Sequence, residues 1–207
     1  LAQVRILVHQ LEPRCQNQTA GGNRINRGTE MIDRKSDPSA ATGDPRHFLL
    51  MAVRTFVRAI CGLAGLHRIA LMGSLTTDKP TPKDADVLVT IERGLDLTDL
   101  ARAARRLQGA AQTRNLGADI FLADTQHHYL GRVCQYRQCH PRVACRAQSC
   151  GRYPHLNDDL QIVTLAPDLI AAPPVDLWPT VVRRISVPDD VEDVLLAGLQ
   201  GQIRSAG

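Results

Sequence analysis

Asp84-Ala85-Asp86 runs directly into the apolar stretch Val87-Leu88-Val89-Thr90-Ile91, and Gly73-Ser74 lies upstream with nine residues between. Residues two apart on an extended backbone project to the same face, so Asp84 and Asp86 are expected to present their carboxylates together. Two carboxylates on one face make a site for a hard divalent cation. Asp119 stands in the same apolar-acid-apolar setting, between Ala118 and Ile120. An acid that opens a hydrophobic strand is costly unless it is solvated, paired or metal-bound. Three such acids at neighbouring strand ends suit two Mg²⁺ ions that bridge a triphosphate and activate an attacking hydroxyl. Gly73 lets the backbone approach a phosphate closely, and Ser74 adds a hydroxyl and an N–H donor. A D-x-D pair alone reads equally as a solvent-facing turn before a strand. The Gly-Ser spacing, the flanking strands and the third acid one helix later favour a site.

The elements that must hold these groups are visible as periodicities. Leu49, Leu50, Val53, Phe56, Val57 and Ile60 recur at three- and four-residue spacing, which predicts an amphipathic helix from Arg46 to about Gly62 or Gly65. His67 to Met72 and Val87 to Ile91 read as strands joined by a polar loop with Pro80 and Pro82. Leu97, Leu100, Ala101, Ala104 and Leu107 form the stripe of a second helix, capped around Asp96 to Asp99 and expected to stop at Gly109. Ala118 to Leu122 reads as a third strand and Leu160 to Leu165 as a fourth. Val175 to Ile185 and Asp189 to Ile203 are expected to be C-terminal helices. The order predicts an α/β (α+β) domain, a small mixed sheet covered by helices. Its expected divisions are an unstructured N-terminal extension (1–45), the core (46–125), a Cys/His/Arg-rich segment (126–157), and the final strand with C-terminal helices (158–207).

Gly73-Ser74, Asp84-Ala85-Asp86 and the later Asp119 together resemble the active-site pattern of polymerase-beta-type nucleotidyltransferases, particularly the minimal single-domain branch. The resemblance spans residues 46 to 124. It implies that Gly73 and Ser74 contact the triphosphate, that Asp84 and Asp86 bind both metals, and that Asp119 completes the site and helps activate the acceptor. Many members carry an arginine in the loop and a serine just before the first acid, where this chain has Lys79 and Lys83. A lysine neutralises phosphate as a point charge but cannot make arginine's bidentate contact. Lys79 and Lys83 are therefore the expected nucleotide-binding cations.

Cys134, Cys139, Cys145 and Cys150 are separated by four, five and four residues, with His127, His128, His140 and His155 among or beside them. Four thiolates suffice for a closed structural zinc site, which would order a segment poor in aliphatic residues. The spacing is not the paired C-x₂-C form, so His140 or His155 in place of one cysteine, and free thiols, stay open. Arg132, Arg137, Arg142, Arg146 and Arg152, with Tyr136 and Tyr153, give this segment the composition of an RNA-gripping loop or of a solvated basic surface.

The 207 residues carry a formal net charge of +4, too small to argue for or against a nucleic-acid partner. No run approaches the ~18 apolar residues of a membrane span, and no leader pattern is present, so a cytoplasmic protein is expected. The chain opens with Leu1 and first reaches methionine at Met31, so part of residues 1–30 is expected to be an extension upstream of the natural start. G-x-G-x-x-G, P-loop and G-x-S-x-G motifs are absent. The expected activity is transfer of a nucleoside monophosphate from an NTP, ATP in the first instance, to a hydroxyl. The acceptor is open between a protein, a transfer RNA end and a small molecule. The resemblance adds a toxin–antitoxin partner to the options. The alternative is an inactive, zinc-stabilised RNA- or protein-binding module on the same fold.

Overall fold

A computed structural model describes residues 43–134, 156–157 and 164–203. Helix α1 (Pro45–Ile60) opens with Asp44, whose carboxylate accepts from the Arg46 N–H, and with proline in its first turn. Both features suit a helix start, where N–H groups lack intrahelical partners. Its buried face is Leu49, Leu50, Val53, Phe56, Val57 and Ile60, the stripe expected from the spacing. Strand β1 (Leu66–Met72) follows, then one tight 3₁₀ turn (Gly73–Thr76) and strand β2 (Asp84–Ile91). Helix α2 (Thr98–Gln112) crosses over to strand β3 (Gly117–Asp124), which lies parallel to β2. Gly109 does not stop α2. A helical glycine costs only about 1 kcal/mol relative to alanine, and the continuing stripe through Ala111 outweighs it.

The sheet extends beyond the expected core on both sides. Strand β4 (Tyr129–Val133) pairs antiparallel with β3, and the two-residue β5 (Leu156–Asn157) pairs with β4. On the other side, β6 (Val175–Trp178) pairs antiparallel with β1 and turns back into β7 (Val182–Arg183). The order is β5-β4-β3-β2-β1-β6-β7, with β2 and β3 the parallel pair. The helix expected over Val175–Ile185 is therefore a pair of short strands. Val175 and Leu177 enter the core while Asp176 faces the other way, a period of two rather than 3.6. Pro179 also interrupts any helix there. Asp176, 6% exposed, is held by Arg184 at 2.7 Å and lies 3.8 Å from Arg68, which offsets the cost of a carboxylate in the sheet.

The second C-terminal helix forms as expected, as π-helical turns (Val191–Leu196) that run into α4 (Ala197–Ile203). A short α3 (Pro167–Ala171) precedes β6. The strand expected from Leu160 lies outside the described residues up to Val163, and Thr164 to Ala166 form no strand. The N-terminal extension likewise lies outside them except for Gly43, Asp44 and Pro45.

Two hydrophobic clusters sandwich the sheet. The larger gathers α1, α2 and Val191–Leu199 against Ile69, Leu71, Val87, Val89, Ile120 and Leu122. The smaller, on the reverse face, holds Ala70, Met72, Leu88, Phe121, Ala123 and Ile170. Strand alternation places Asp84, Asp86 and Asp119 on the reverse face with the smaller cluster, because their neighbours Ala85, Val87, Ala118 and Ile120 belong to the larger one.

Candidate active site

Asp86 on β2 stands directly beside Asp119 on β3 in the parallel register, and Asp84 stands beside Gly117. Across the antiparallel pair, Asp86 faces Met72, the last residue before the Gly73 turn. The three acids and the Gly-Ser turn thus meet at one end of the central strands. All three carboxylates are partly exposed, so none is sealed from a ligand.

The electrostatics are those of crowded negative charge. Burial first, then Asp84 and then Asp119, push the Asp86 carboxyl up to about 6. Burial disfavours the charged form, and the two neighbouring acids add a negative field that attracts positive charge, whether a proton or a cation.

Gly73 and Ser74 fit the space in front of these acids. Gly73 has φ +69°, a conformation costly for any residue with a side chain. A Cβ there would sit 1.9 Å from Asp86 Oδ2, so the missing side chain is what admits the Asp86 carboxylate. Ser74 Oγ is buried and has no hydrogen-bond partner among the described residues. A buried hydroxyl left unsatisfied is unusual, and at a functional site it is a group available to a ligand. Thr76 Oγ1 donates to the Gly73 carbonyl at 2.8 Å and Thr77 Oγ1 to the Ser74 carbonyl at 2.9 Å, which fixes the turn. Lys79 and Lys83 are both exposed along the connecting loop, and neither forms an ion pair with a described residue. The Lys83 carbonyl accepts from the Gly117 N–H at 2.7 Å, tying the loop's end to the start of β3.

Arg132 occupies a place that the sequence did not suggest. It lies on β4 and its Nη1 donates to Asp119 Oδ1 at 2.8 Å, with both side chains mostly covered. Rather than belonging to a basic surface, it neutralises the third acid from the neighbouring strand. Among the described residues no three His, Cys, Asp or Glu side chains form a ready-made metal cage.

Cys134 is fully buried just after β4. Cys139, Cys145, Cys150, His140 and His155 lie outside the described residues, as do Arg137, Arg142, Arg146, Arg152, Tyr136 and Tyr153. His128 is exposed, but its Nδ1 lies 3.0 Å from the carboxylate of the buried Asp124, which also receives Arg93 at 2.7 Å. This cluster closes the β3–β4 turn at the opposite end of β3 from Asp119. A groove of about 310 Å³ between α1 and α2, lined by Phe48, Met51 and Arg106 among others, lies in the helical layer and takes no part in the acid site. Among the described residues no helix is long and apolar enough to cross a membrane.

The model of a family of unknown function, DUF6932, matches residues 34–143, more than half of the chain, and the chain belongs to that family. No curated protein and no solved structure matches it.

Proposed function

We propose that this DUF6932 chain is a nucleotidyltransferase with a polymerase-beta-like core, transferring a nucleoside monophosphate from an NTP, ATP in the first instance, to an acceptor hydroxyl. The observation that carries this reading is the convergence of Asp84, Asp86 and Asp119 on one sheet face beside the Gly73-Ser74 turn, with the Asp86 carboxyl raised to about 6 by burial and its two acidic neighbours. Crowded carboxylates serve a cation-dependent reaction better than they serve the fold. Mg²⁺ held by Asp84, Asp86 and Asp119 would neutralise the triphosphate and acidify the acceptor hydroxyl.

The chain's own residues supply the rest. Gly73 lets the Asp86 carboxylate sit against the turn, and Ser74 Oγ, without a partner among the described residues, can donate to a phosphate oxygen. Lys79 and Lys83 offer point charges to the triphosphate from the loop. The acceptor oxygen forms its bond to the α-phosphorus as the bond to the bridging oxygen breaks, and pyrophosphate leaves with that electron pair. Asp119, which the resemblance puts next to the acceptor, takes the hydroxyl proton once its carboxylate turns from Arg132. Holding the reactants in line makes the attack effectively unimolecular, and the charges around the phosphates stabilise the transition state.

A second reading, a non-catalytic RNA- or protein-binding module, draws on the Arg132–Asp119 pair, which already neutralises one acid. Incubating the protein with labelled ATP, GTP, CTP and UTP plus Mg²⁺ and cell extract separates the two. Label that appears on a protein, RNA or small molecule, and is lost in Asp84→Ala/Asp86→Ala, supports transfer and names the acceptor. No label, together with salt-dependent RNA binding that needs neither Mg²⁺ nor NTP, supports the module. Structural zinc on Cys134, Cys139, Cys145 and Cys150, with His140 or His155 as substitutes, is proposed from their spacing. It requires one zinc per chain by elemental analysis, and a metal-free preparation that is fully folded refutes it.

A further inference from the structure

Arg46, near the start of α1, is among the few buried charged residues, with a side chain 7% exposed. A guanidinium in that position is costly unless its donors are all used. Its Nε and Nη2 make a bidentate pair with Asp190, at 2.5 and 3.1 Å, across 144 residues of sequence. Its remaining reach goes to two backbone carbonyls of one loop: Nη2 to Leu75 at 2.9 Å and Nη1 to Lys79 at 3.2 Å. Arg46 therefore binds three things at once: helix α1, the residue that opens the C-terminal helical turns, and the loop that follows Gly73-Ser74.

The loop contacts go beyond those a structural staple needs. The carbonyls of Gly73, Ser74, Leu75 and Lys79 are each engaged, the first two by Thr76 and Thr77 and the last two by Arg46. Carbonyl oxygens repel phosphate, so a loop that receives a triphosphate gains from having them tied to donors within the protein. Leu75 is fully buried and anchors the turn, whereas Thr77 to Thr81 are exposed, so Arg46 is the interior support for the stretch that carries Lys79. Arginine's planar fork is suited to a carboxylate and two carbonyls together, which lysine cannot match.

We propose that Arg46 and Asp190 are positioning residues for the nucleotide: the pair holds the Gly73–Lys83 loop in its binding form and makes nucleotide affinity depend on docking of the C-terminal helix. This rests on the nucleotidyltransferase reading. Asp190, partly exposed, is the entry point, since loss of its charge leaves Arg46 held by the loop carbonyls alone.

The test compares full-length wild type, Asp190→Asn and Arg46→Lys by hydrogen exchange without nucleotide, by thermal melting with and without ATP and Mg²⁺, and by steady-state kinetics with ATP and Mg²⁺. Faster exchange confined to residues 73–83 and the first turn after Asp190, with KM for ATP raised about tenfold or more and kcat changed much less, supports the assignment. Arg46→Lys should keep part of the wild-type melting temperature through its charge and still raise KM, because an ammonium cannot replace the planar fork. Exchange that rises evenly through the protein, or a lower melting temperature with unchanged KM, overturns it and leaves the pair a plain tether. A wild-type protein that binds no NTP overturns the nucleotidyltransferase reading and this assignment with it, and the wild-type arm alone reveals that case.

Discussion

Replacing Asp86 with asparagine should stabilise the fold while abolishing transfer. The Asp86 carboxyl is pushed from 3.8 to about 6, by burial first and then by Asp84 and Asp119. Ionising it in the folded protein is therefore harder than in the unfolded chain. Some two units at 1.36 kcal/mol each give an upper figure of roughly 3 kcal/mol. Asp86 is partly exposed, so solvent screening reduces this to about 1–2 kcal/mol. The sign follows from linkage. Below pH 3.8 the group is protonated in both states and costs nothing; the penalty grows between pH 3.8 and 6 and is complete above it. Asp86→Asn, nearly isosteric and uncharged, should exceed wild type by about 1–2 kcal/mol at pH 8 and match it near pH 3.5. Urea unfolding followed by circular dichroism, with EDTA present, measures both points. Millimolar Mg²⁺ should then raise the wild-type midpoint and leave the variant's nearly unmoved. A variant that is no more stable than wild type at pH 8, or whose advantage persists undiminished at pH 3.5, refutes the reasoning that burial and its two acidic neighbours penalise the Asp86 charge.

Gly73→Ala should lower stability by roughly 1–2 kcal/mol from its backbone conformation alone and displace the Asp86 carboxylate, visible as a lower melting temperature and lost transfer. Ser74→Ala should by contrast melt like wild type, because its hydroxyl bonds no group among the described residues, yet raise KM for NTP. Arg132→Gln should leave Asp119 less neutralised and so strengthen Mg²⁺ binding without nucleotide, read as a larger Mg²⁺-dependent melting shift than wild type shows. Asp124→Ala should destabilise by on the order of 3 kcal/mol at pH 7. Burial alone would raise the Asp124 carboxyl, but the His128 N–H, Arg93, the His128 ring and the Gln126 N–H hold it well below the usual range. Its stabilisation is thus present above about pH 4 and lost as pH falls below that value, so the gap between variant and wild type in acid titration should narrow toward pH 2.

Local patterns were readable from the chain because local forces set them. The α1 stripe from Leu49 to Ile60 is a matter of helical period, and it was buried as expected. The alternation from Asp84 to Ile91 separates acids from aliphatics by the pleat alone. The strand character of Val175–Ile185 is faint in the sequence because its period-two signal covers only the four residues Val175–Trp178. Its conversion into β6 comes from the edge of β1 needing a partner and from Arg68 and Arg184 meeting Asp176. The strand at Tyr129–Val133 was hidden in a segment whose composition suggested only a basic, metal-ordered loop.

By itself, then, the sequence determined that three carboxylates and a Gly-Ser pair would lie at the ends of strands in a mixed α+β domain, since side-chain period and strand propensity are properties of a few consecutive residues. The tertiary structure alone decided which charges face one another. Arg132 reaches Asp119 from thirteen residues away and Arg46 reaches Asp190 from 144. Pairings at such separations depend on how the strands order themselves in the sheet and on where the last helix docks, and no local pattern encodes either.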